Sequence, residues 1–418
     1  MDSAFDDTPL VMVEDDETLA SVCSELRHEA VIGVDTESDS MHHYQEKVCL
    51  IQVSDARRDY IIDPLRVSNM KPFGDILANP DIVKIFHGAD YDIVCLKRDF
   101  DFSILNIFDT MISAQFLDMP RVGLADLCRE YFSAEMDKKY QTYDWSHRPL
   151  LPEHLEYARG DTHYLIALRE VLMHKLQRKD RLEIVAEEFE ILTQREWRGR
   201  TPDEDGWQQI KGINALNDDG RRVLRALWRL RDAEARKSDR PPYKVIPNDL
   251  MVRIAEVCPN NLDALANLAR SKSSMFRRYG RDMVDCVNRG LADEEPLNDA
   301  APKQKRGGPK VRYGARETDR LFQQLKDWRT KVAKRDSVPM VMVASNNHLK
   351  ALAGWRPHNL DELREVEDLR EWQIRLYGAE LLKMVADFEG TAESAPEKPA
   401  GSSSRKRRRR RGRGSPAS

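Results

Sequence analysis

Two carboxylates lie two residues apart in Asp35-Thr36-Glu37, directly after the β-rich run Val31-Ile32-Gly33-Val34. Alternate residues of a strand share a face, so Asp35 and Glu37 project side by side, and like charges that close need a cation. An ordinary exposed strand end has the same pattern. A second acidic stretch, His87-Gly88-Ala89-Asp90-Tyr91-Asp92-Ile93, follows a later apolar run. Gly88 suits a tight strand-to-helix turn, and Asp90 suits the cap of the helix. Asp92, inside the first turn, can face the sheet edge where the Asp35 strand ends. In Tyr157-Ala158-Arg159-Gly160-Asp161 the i, i+4 spacing stacks a phenol and a carboxylate on one helical face. The small residues Ala158 and Gly160 leave room for something to approach; a core tyrosine beside a solvated acid also fits.

Positioning these groups requires strands and helices in alternation. Val31 to Val34, Val48 to Val53 and Tyr60 to Ile62 read as a three-strand meander, and Asp81 to Phe86 as a fourth strand. Asp90 to Phe100 carries Ile93, Leu96 and Lys97 at helical spacing, and Ile107-Phe108 is a further short segment. From Leu155 to Leu176 the apolar positions keep a helical period, which predicts one long helix with Pro152 near its start. Such alternation implies a layered α/β domain.

Beyond about residue 200 the pattern is helical only, and the chain repeats itself at an offset of 98 residues. Arg231 falls on Arg329, Pro241 on Pro339, Val245 on Val343, Asn248 on Asn346, Asn261-Leu262-Asp263 on Asn359-Leu360-Asp361, and Tyr279-Gly280 on Tyr377-Gly378. Coincident Pro, Asn-Leu-Asp and Tyr-Gly landmarks at one register predict two copies of one small helical domain. The expected boundaries are 1–195 for the α/β domain, 213–293 for the first helical copy, 294–313 for a linker, 314–388 for the divergent second copy and 392–418 for a disordered tail. In that tail, Arg405 to Arg413 holds eight basic residues in nine, a run that repels itself and suits a phosphate backbone or a nuclear address.

The net charge of −4 over 418 residues conceals a division: residues 1–180 carry −15 and residues 181–418 carry +11. A hydrophobic content of 41% supports folded cores and excludes global disorder. Apolar runs are far shorter than the roughly 20 residues of a membrane helix, and the N-terminus lacks the basic start and apolar stretch of a signal peptide, so neither membrane residence nor export by that route is expected. Six cysteines stand tens of residues apart without a C-x-x-C, which argues for reduced core thiols rather than a zinc knuckle or disulfide framework.

Taken in order, D-x-E, then an acid after a later strand, then Y-x-x-x-D on a final helix resembles the DEDDy branch of the RNase H-like 3′ to 5′ exonucleases, and within it ribonuclease D and its eukaryotic relative in the nuclear exosome. The blocks VDTES, KVCLIQVS, IIDPL, KIFHGADYDIVCLKRDF, NIFDTMISAQFL, MDKKYQTYDWSHRPL and EYARGDTHYL are similar to that family's in the same order, from about residue 10 to 180. The two repeats resemble the paired HRDC-type domains that follow the nuclease in ribonuclease D. The resemblance implies an α/β RNase H-like exonuclease domain, a mixed sheet with helices on both faces, followed by two all-α HRDC-type domains.

It further implies that Asp35, Glu37, Asp92 and Asp161 bind two divalent cations, Mg²⁺ or Mn²⁺, and that Tyr157 orients the attacking water. Hard oxygen ligands suit those ions better than zinc. Gln52, His87 and Arg148 are candidate substrate contacts; for His87 a structural hydrogen bond is the stronger expectation. Trp145 and Arg148 brace the site or touch RNA, and Asp109 hydrogen-bonds around the fold. Ser38 departs from the aromatic that ribonuclease D members often carry after D-x-E. The expected activity is 3′ to 5′ hydrolysis of single-stranded RNA 3′ ends, with tRNA precursors as the family's usual task. A DNA exonuclease and a non-catalytic RNA-binding scaffold are the alternatives. A monomer is expected, cytoplasmic in a bacterial host and nuclear in a eukaryotic one.

Overall fold

The computed structural model describes residues 8–197, 206–269, 273–297 and 313–393. Six strands form one mixed sheet in the order β1-β4-β3-β2-β5-β6, with β1 Leu10–Val13, β2 Val31–Ser38, β3 Val48–Ser54, β4 Asp59–Ile62, β5 Val83–Phe86 and β6 Ile107–Asp109. The predicted meander is present as antiparallel β2, β3 and β4. β5 lies parallel to β2, β6 parallel to β5, and β1 parallel to β4 at the opposite edge. β3 and β4 are buried throughout, so their residues form nearly continuous apolar runs rather than alternating ones.

Within β2, only Val31 to Gly33 pair with β5, so the second half of β2 runs on past the end of β5. Helix α3, Asp90–Phe100, begins four residues after β5 stops, which brings its first turn alongside Asp35 and Glu37. Gly88 makes the turn between them at φ +80, a conformation that favours glycine. The other helices of this domain are α1 Asp16–Leu26, α2 Lys71–Leu77, α4 Thr110–Phe116, α5 Leu124–Phe132, α6 Pro152–His163, α7 Leu165–Arg178 and α8 Leu182–Thr193.

The single long helix expected from Leu155 to Leu176 is instead α6 and α7, broken at Tyr164. Thr162 and His163 at the end of α6 are held down by Ser54 and Asp59 of the sheet, while Tyr164 stacks on Phe132 of α5 at 5.5 Å. Those contacts outweigh the uninterrupted apolar period. Gly33 permits this approach, since a Cβ there would lie 3.0 Å from the Thr162 carbonyl oxygen.

The helical region contains two copies of one unit. The first comprises α9 Asp218–Lys237, α10 Pro242–Val245, α11 Asn248–Val257, α12 Leu262–Leu268 and α13 Ser274–Leu291; the second comprises α14 Ala315–Asp336, α15 Met340–Val343, α16 Asn346–Trp355, α17 Leu360–Arg364 and α18 Glu371–Glu393. The 98-residue offset holds atom by atom. Arg231 donates to the Ile246 carbonyl and Arg329 to the Ala344 carbonyl, Asn261 caps α12 through the Ala264 amide, and Asn359 caps α17 through the Glu362 amide. Cys258 and Arg356 take the same left-handed backbone turn at φ 51 and 58. By contacts the chain divides into two compact units, residues 1–306 with 333–342, and residues 307–332 with 343–418. The basic run Arg405 to Arg413 and most of the expected linker lie outside the described residues. All six cysteines are free, and among the described residues no helix is long and apolar enough to cross a membrane.

Candidate active site

Asp35 and Glu37 leave β2 on the same face, as their two-residue spacing requires, and Asp92 and Asp161 meet them from α3 and α6. All four carboxyls are pushed above their ordinary range. Burial is the largest cause in each case. For Asp35 the charges of Asp92, Asp161 and Glu37 add to it; for Glu37 those of Asp161 and Asp92; for Asp161 that of Asp92. Asp92, 8% exposed, is raised to about 6 and Asp161 to about 7. The charges felt by Glu37 and Asp161 come from other carboxylates, so the cluster is short of positive charge.

Neighbouring side chains hold each acid in place. The Thr36 hydroxyl, between Asp35 and Glu37, donates to Asp92 Oδ1 across the strand-to-helix gap. On α6 the alternation of faces is explicit. Tyr157 and Asp161 look toward the acids, while Arg159 and His163 look toward β4, where Arg159 donates to Asp59 Oδ2 through Nε and Nη2 at 2.9 and 2.7 Å and His163 Nδ1 lies 3.0 Å from the same oxygen. Burial works against ionisation of Asp59, but hydrogen bonds from His163, Ser54 and Arg159 outweigh it and leave the carboxyl below its usual range. An internal ion pair therefore fixes the rotation of α6 and with it the direction of Tyr157 and Asp161.

The Tyr157 ring packs at 5.9 Å from Trp145, which is buried, and edge-on at 5.7 Å to Tyr140. Burial and the charges of Asp161, Glu37 and Asp35 push its phenol well above its ordinary value, so it keeps its proton. Trp145 thus braces the site, the first of its two expected roles.

Arg148 and His87 take the structural roles that stood beside substrate contact among their expected ones, and Gln52 is enclosed. Arg148 donates to both oxygens of Asp63 at 2.6 and 2.8 Å and to the carbonyls of Trp145, His147 and Cys49, so it ties its loop to the sheet and has no donor left over for a nucleotide. His87 is half-buried, its Nδ1 2.9 Å from Thr110 Oγ1, and burial lowers its pKa to about 4, so it makes the structural hydrogen bond that was the stronger expectation. Gln52 is 0% exposed on β3 and does not reach a surface where a nucleotide could touch it.

Asp90 does not cap α3. Asp109, at the end of β6, accepts from the amides of Gly88, Ala89 and Ile112 at 2.9, 2.7 and 2.9 Å, which leaves Asp90 to pair with Arg195. One carboxylate therefore fixes the Gly88 turn that aims Asp92 and also caps α4, the structural role expected of Asp109. The Thr36 and Asp59 partnerships link residues 56 and 100 or more positions apart, and no local pattern announces them.

The donor set fits a hard divalent cation: four carboxylates, half-buried or buried, with no base among the charges acting on Glu37 and Asp161. Among the described residues no three His, Cys, Asp or Glu side chains are drawn around one point as closely as an ion would draw them, as expected of mutually repelling acids. Asp35, Glu37, Asp92 and Asp161 are the residues that would hold the ions.

Residues 10–177 match a family model described as 3′-5′ exonuclease, and residues 220–287 and 318–385 each match the HRDC domain. The chain is 33% identical to the exosome complex component 10 homolog of Caenorhabditis elegans over 63% of its own length and 30% of that protein's. Among solved structures it is similar to the catalytic core of RRP6 from Trypanosoma brucei, with 30% identity, a TM-score of 0.59 and coverage of 68% of this chain and 80% of that one. It is similar also to Escherichia coli RNase D, with 25% identity, a TM-score of 0.68 and coverage of 91% and 99%. The chain spans well under half the length of its eukaryotic exosome relatives, from 30% to 43%. Exonucleases of this kind depend on divalent metal. With its mixed sheet, the DEDD acids and tyrosine brought together by it, and two HRDC repeats after them, the chain belongs to the ribonuclease D family of 3′-5′ exonucleases.

Proposed function

We propose that the protein is a metal-dependent 3′ to 5′ exoribonuclease that trims single-stranded RNA 3′ ends and releases nucleoside 5′-monophosphates. Support comes above all from the convergence of Asp35, Glu37, Asp92 and Asp161 with the protonated Tyr157, close enough that the acids' charges act on one another. Two divalent ions, Mg²⁺ or Mn²⁺, held there would supply a hydroxide at neutral pH and relieve charge on the leaving 3′ oxygen. Asp35, Glu37, Asp92 and Asp161 would hold the ions, and the Tyr157 hydroxyl would donate toward the attacking water or the scissile phosphate. Thr36, Arg159 and Asp109 keep those groups aimed.

Substrate affinity falls to the basic half of the chain, because a catalytic half carrying −15 does not attract a polyanion even with two ions present. Structured RNA precursors, tRNA among them, are the proposed substrates; the E. coli relative is described as an exoribonuclease involved in structured RNA processing. We propose a single chain acting alone in a reducing compartment, the cytoplasm or a eukaryotic nucleus; the six free cysteines suit the reducing compartment.

The test is degradation of a 5′-labelled, 3′-hydroxyl RNA by wild type and Asp161→Asn, with Mg²⁺, with Mn²⁺ and with EDTA, beside a DNA oligomer of the same sequence. A ladder shortening by one nucleotide on RNA, absent in the variant and in EDTA, is expected. Degradation of DNA alone would move the substrate, and binding without degradation would leave a scaffold.

A further inference from the structure

Gln52 lies at the centre of the sheet with 0% of its surface exposed, and neither its Oε1 nor its Nε2 has a hydrogen-bond partner. Buried carboxamides are almost always paired, because an unpaired donor forfeits its bond to water without replacement. A partner is therefore missing at this spot. The strand register identifies the neighbourhood in which to find it. Gln52 is the cross-strand partner of Asp35, so both side chains leave the sheet by the same face, with Cβ atoms roughly 4.5–5.5 Å apart as in any such pair. Two residues further along β3, Ser54 leaves by that face too, and its hydroxyl meets Thr162 Oγ1 at 2.7 Å, one residue past Asp161 on α6. Gln52 is thus enclosed between the strand that carries one acid and the helical turn that carries another.

We propose that Gln52 is a positioning residue of the ion site, whose Nε2 donates to the Asp35 carboxylate once that carboxylate is drawn in to ligate a divalent cation. The bond selects which Asp35 oxygen faces the ion, since the other is engaged from behind. Ligating carboxylates are commonly held by such outer partners, and losing one weakens metal binding about 10–100-fold. Gln52 acts on the ion through Asp35 and does not touch the RNA, which its burial forbids.

This inference rests on the four acids being the ion site, and two variants keep the claims apart. Mn²⁺ is titrated calorimetrically into the full-length metal-free protein as wild type, as Gln52→Met and as Asp161→Asn, and KM for RNA is measured at saturating Mn²⁺. For Gln52→Met the expected result is Mn²⁺ affinity at least about 10-fold weaker, unchanged KM for RNA, and a metal-free melting temperature equal to or above wild type. Unchanged Mn²⁺ affinity in Gln52→Met, with binding lost in Asp161→Asn, overturns the role of Gln52 and leaves the ion site standing. Wild-type binding by Asp161→Asn overturns both. Should the Met variant fail to fold, Gln52→Asn, which retracts the amide by one methylene, is titrated instead, and the same weakening is expected.

Discussion

The Thr36 hydroxyl donates a hydrogen bond to Asp92 Oδ1, joining the strand that bears two of the acids to the helix that bears a third. Thr36→Val keeps the shape and removes the donor. Turnover should fall about 10-fold or more, in line with the loss of an outer partner to a metal ligand, while global stability changes by only about 1 kcal/mol. Steady-state kinetics at saturating Mn²⁺ beside urea unfolding of the same preparation checks both halves. Unchanged kcat would show that Asp92 needs no such tether.

Without metal, the acid cluster should make the protein less stable as pH rises. Burial, then the charge of Asp92, raises Asp161 to about 7, and burial raises Asp92 to about 6, against an ordinary value of 3.8. A carboxyl whose folded pKa lies above its unfolded value stabilises the fold at low pH and loses that contribution as pH climbs through the folded value. Melting temperature in EDTA should therefore fall between about pH 4 and pH 7. Added Mg²⁺ should restore more of it at pH 8 than at pH 5, because ligation needs the ionised acids. A flat profile in EDTA would mean that the four carboxyls are not crowded in solution.

Arg159 and Asp161 sit two residues apart on α6, yet their loss should act in opposite directions. Arg159→Leu strands the Asp59 carboxylate, buried at 1% exposure, and should cost about 3 kcal/mol or more. His163 and Ser54 remain as partial compensation. Asp161→Asn removes one charge from a repelling cluster and should be neutral or stabilising in EDTA while abolishing activity. Chemical denaturation of the two variants side by side gives the comparison.

Removing Arg405 to Ser418 should raise KM for RNA and reduce the salt dependence of binding while leaving kcat at saturating substrate near wild type. Each RNA phosphate that the shortened chain no longer neutralises lowers the slope of log affinity against log salt by about 0.7 for a single strand. Equal loss of kcat would place the tail in the chemistry rather than in capture.

The parts of this site that follow a local period were legible from the chain alone. Two-residue spacing put Asp35 and Glu37 on one face, four-residue spacing aligned Tyr157 with Asp161, and the 98-residue offset found Arg231 and Arg329 in equivalent bonds. What could not be read depends on residues distant in sequence. The edge strand β1 exists because β4 offers it a parallel partner, and the break at Tyr164 exists because Ser54, Asp59 and Phe132 hold the chain there. For Gln52, His87 and Arg148 the side-chain type alone leaves structural and substrate roles open, and only the folded chain shows the burial of Gln52 and the partners of His87 and Arg148. Asp109 supports Asp92 through the amides of Gly88 and Ala89, a relation invisible until β6 is set beside β5.

The two helical copies agree where the backbone is being held: an arginine on a carbonyl, an asparagine on a helix start, a left-handed residue at a helix end, and a glycine where another helix comes close. The arginines and the glycines among them are buried while the asparagine caps are exposed, and most other exposed positions are unconstrained by these contacts. A duplicated domain with one shared interior and two independent exteriors can drift in what it grips without risk to how it folds. The divergence of residues 314–388 is then a record of separate surface histories, and exchanging outward-facing residues between the copies is a direct way to ask which surface serves which contact.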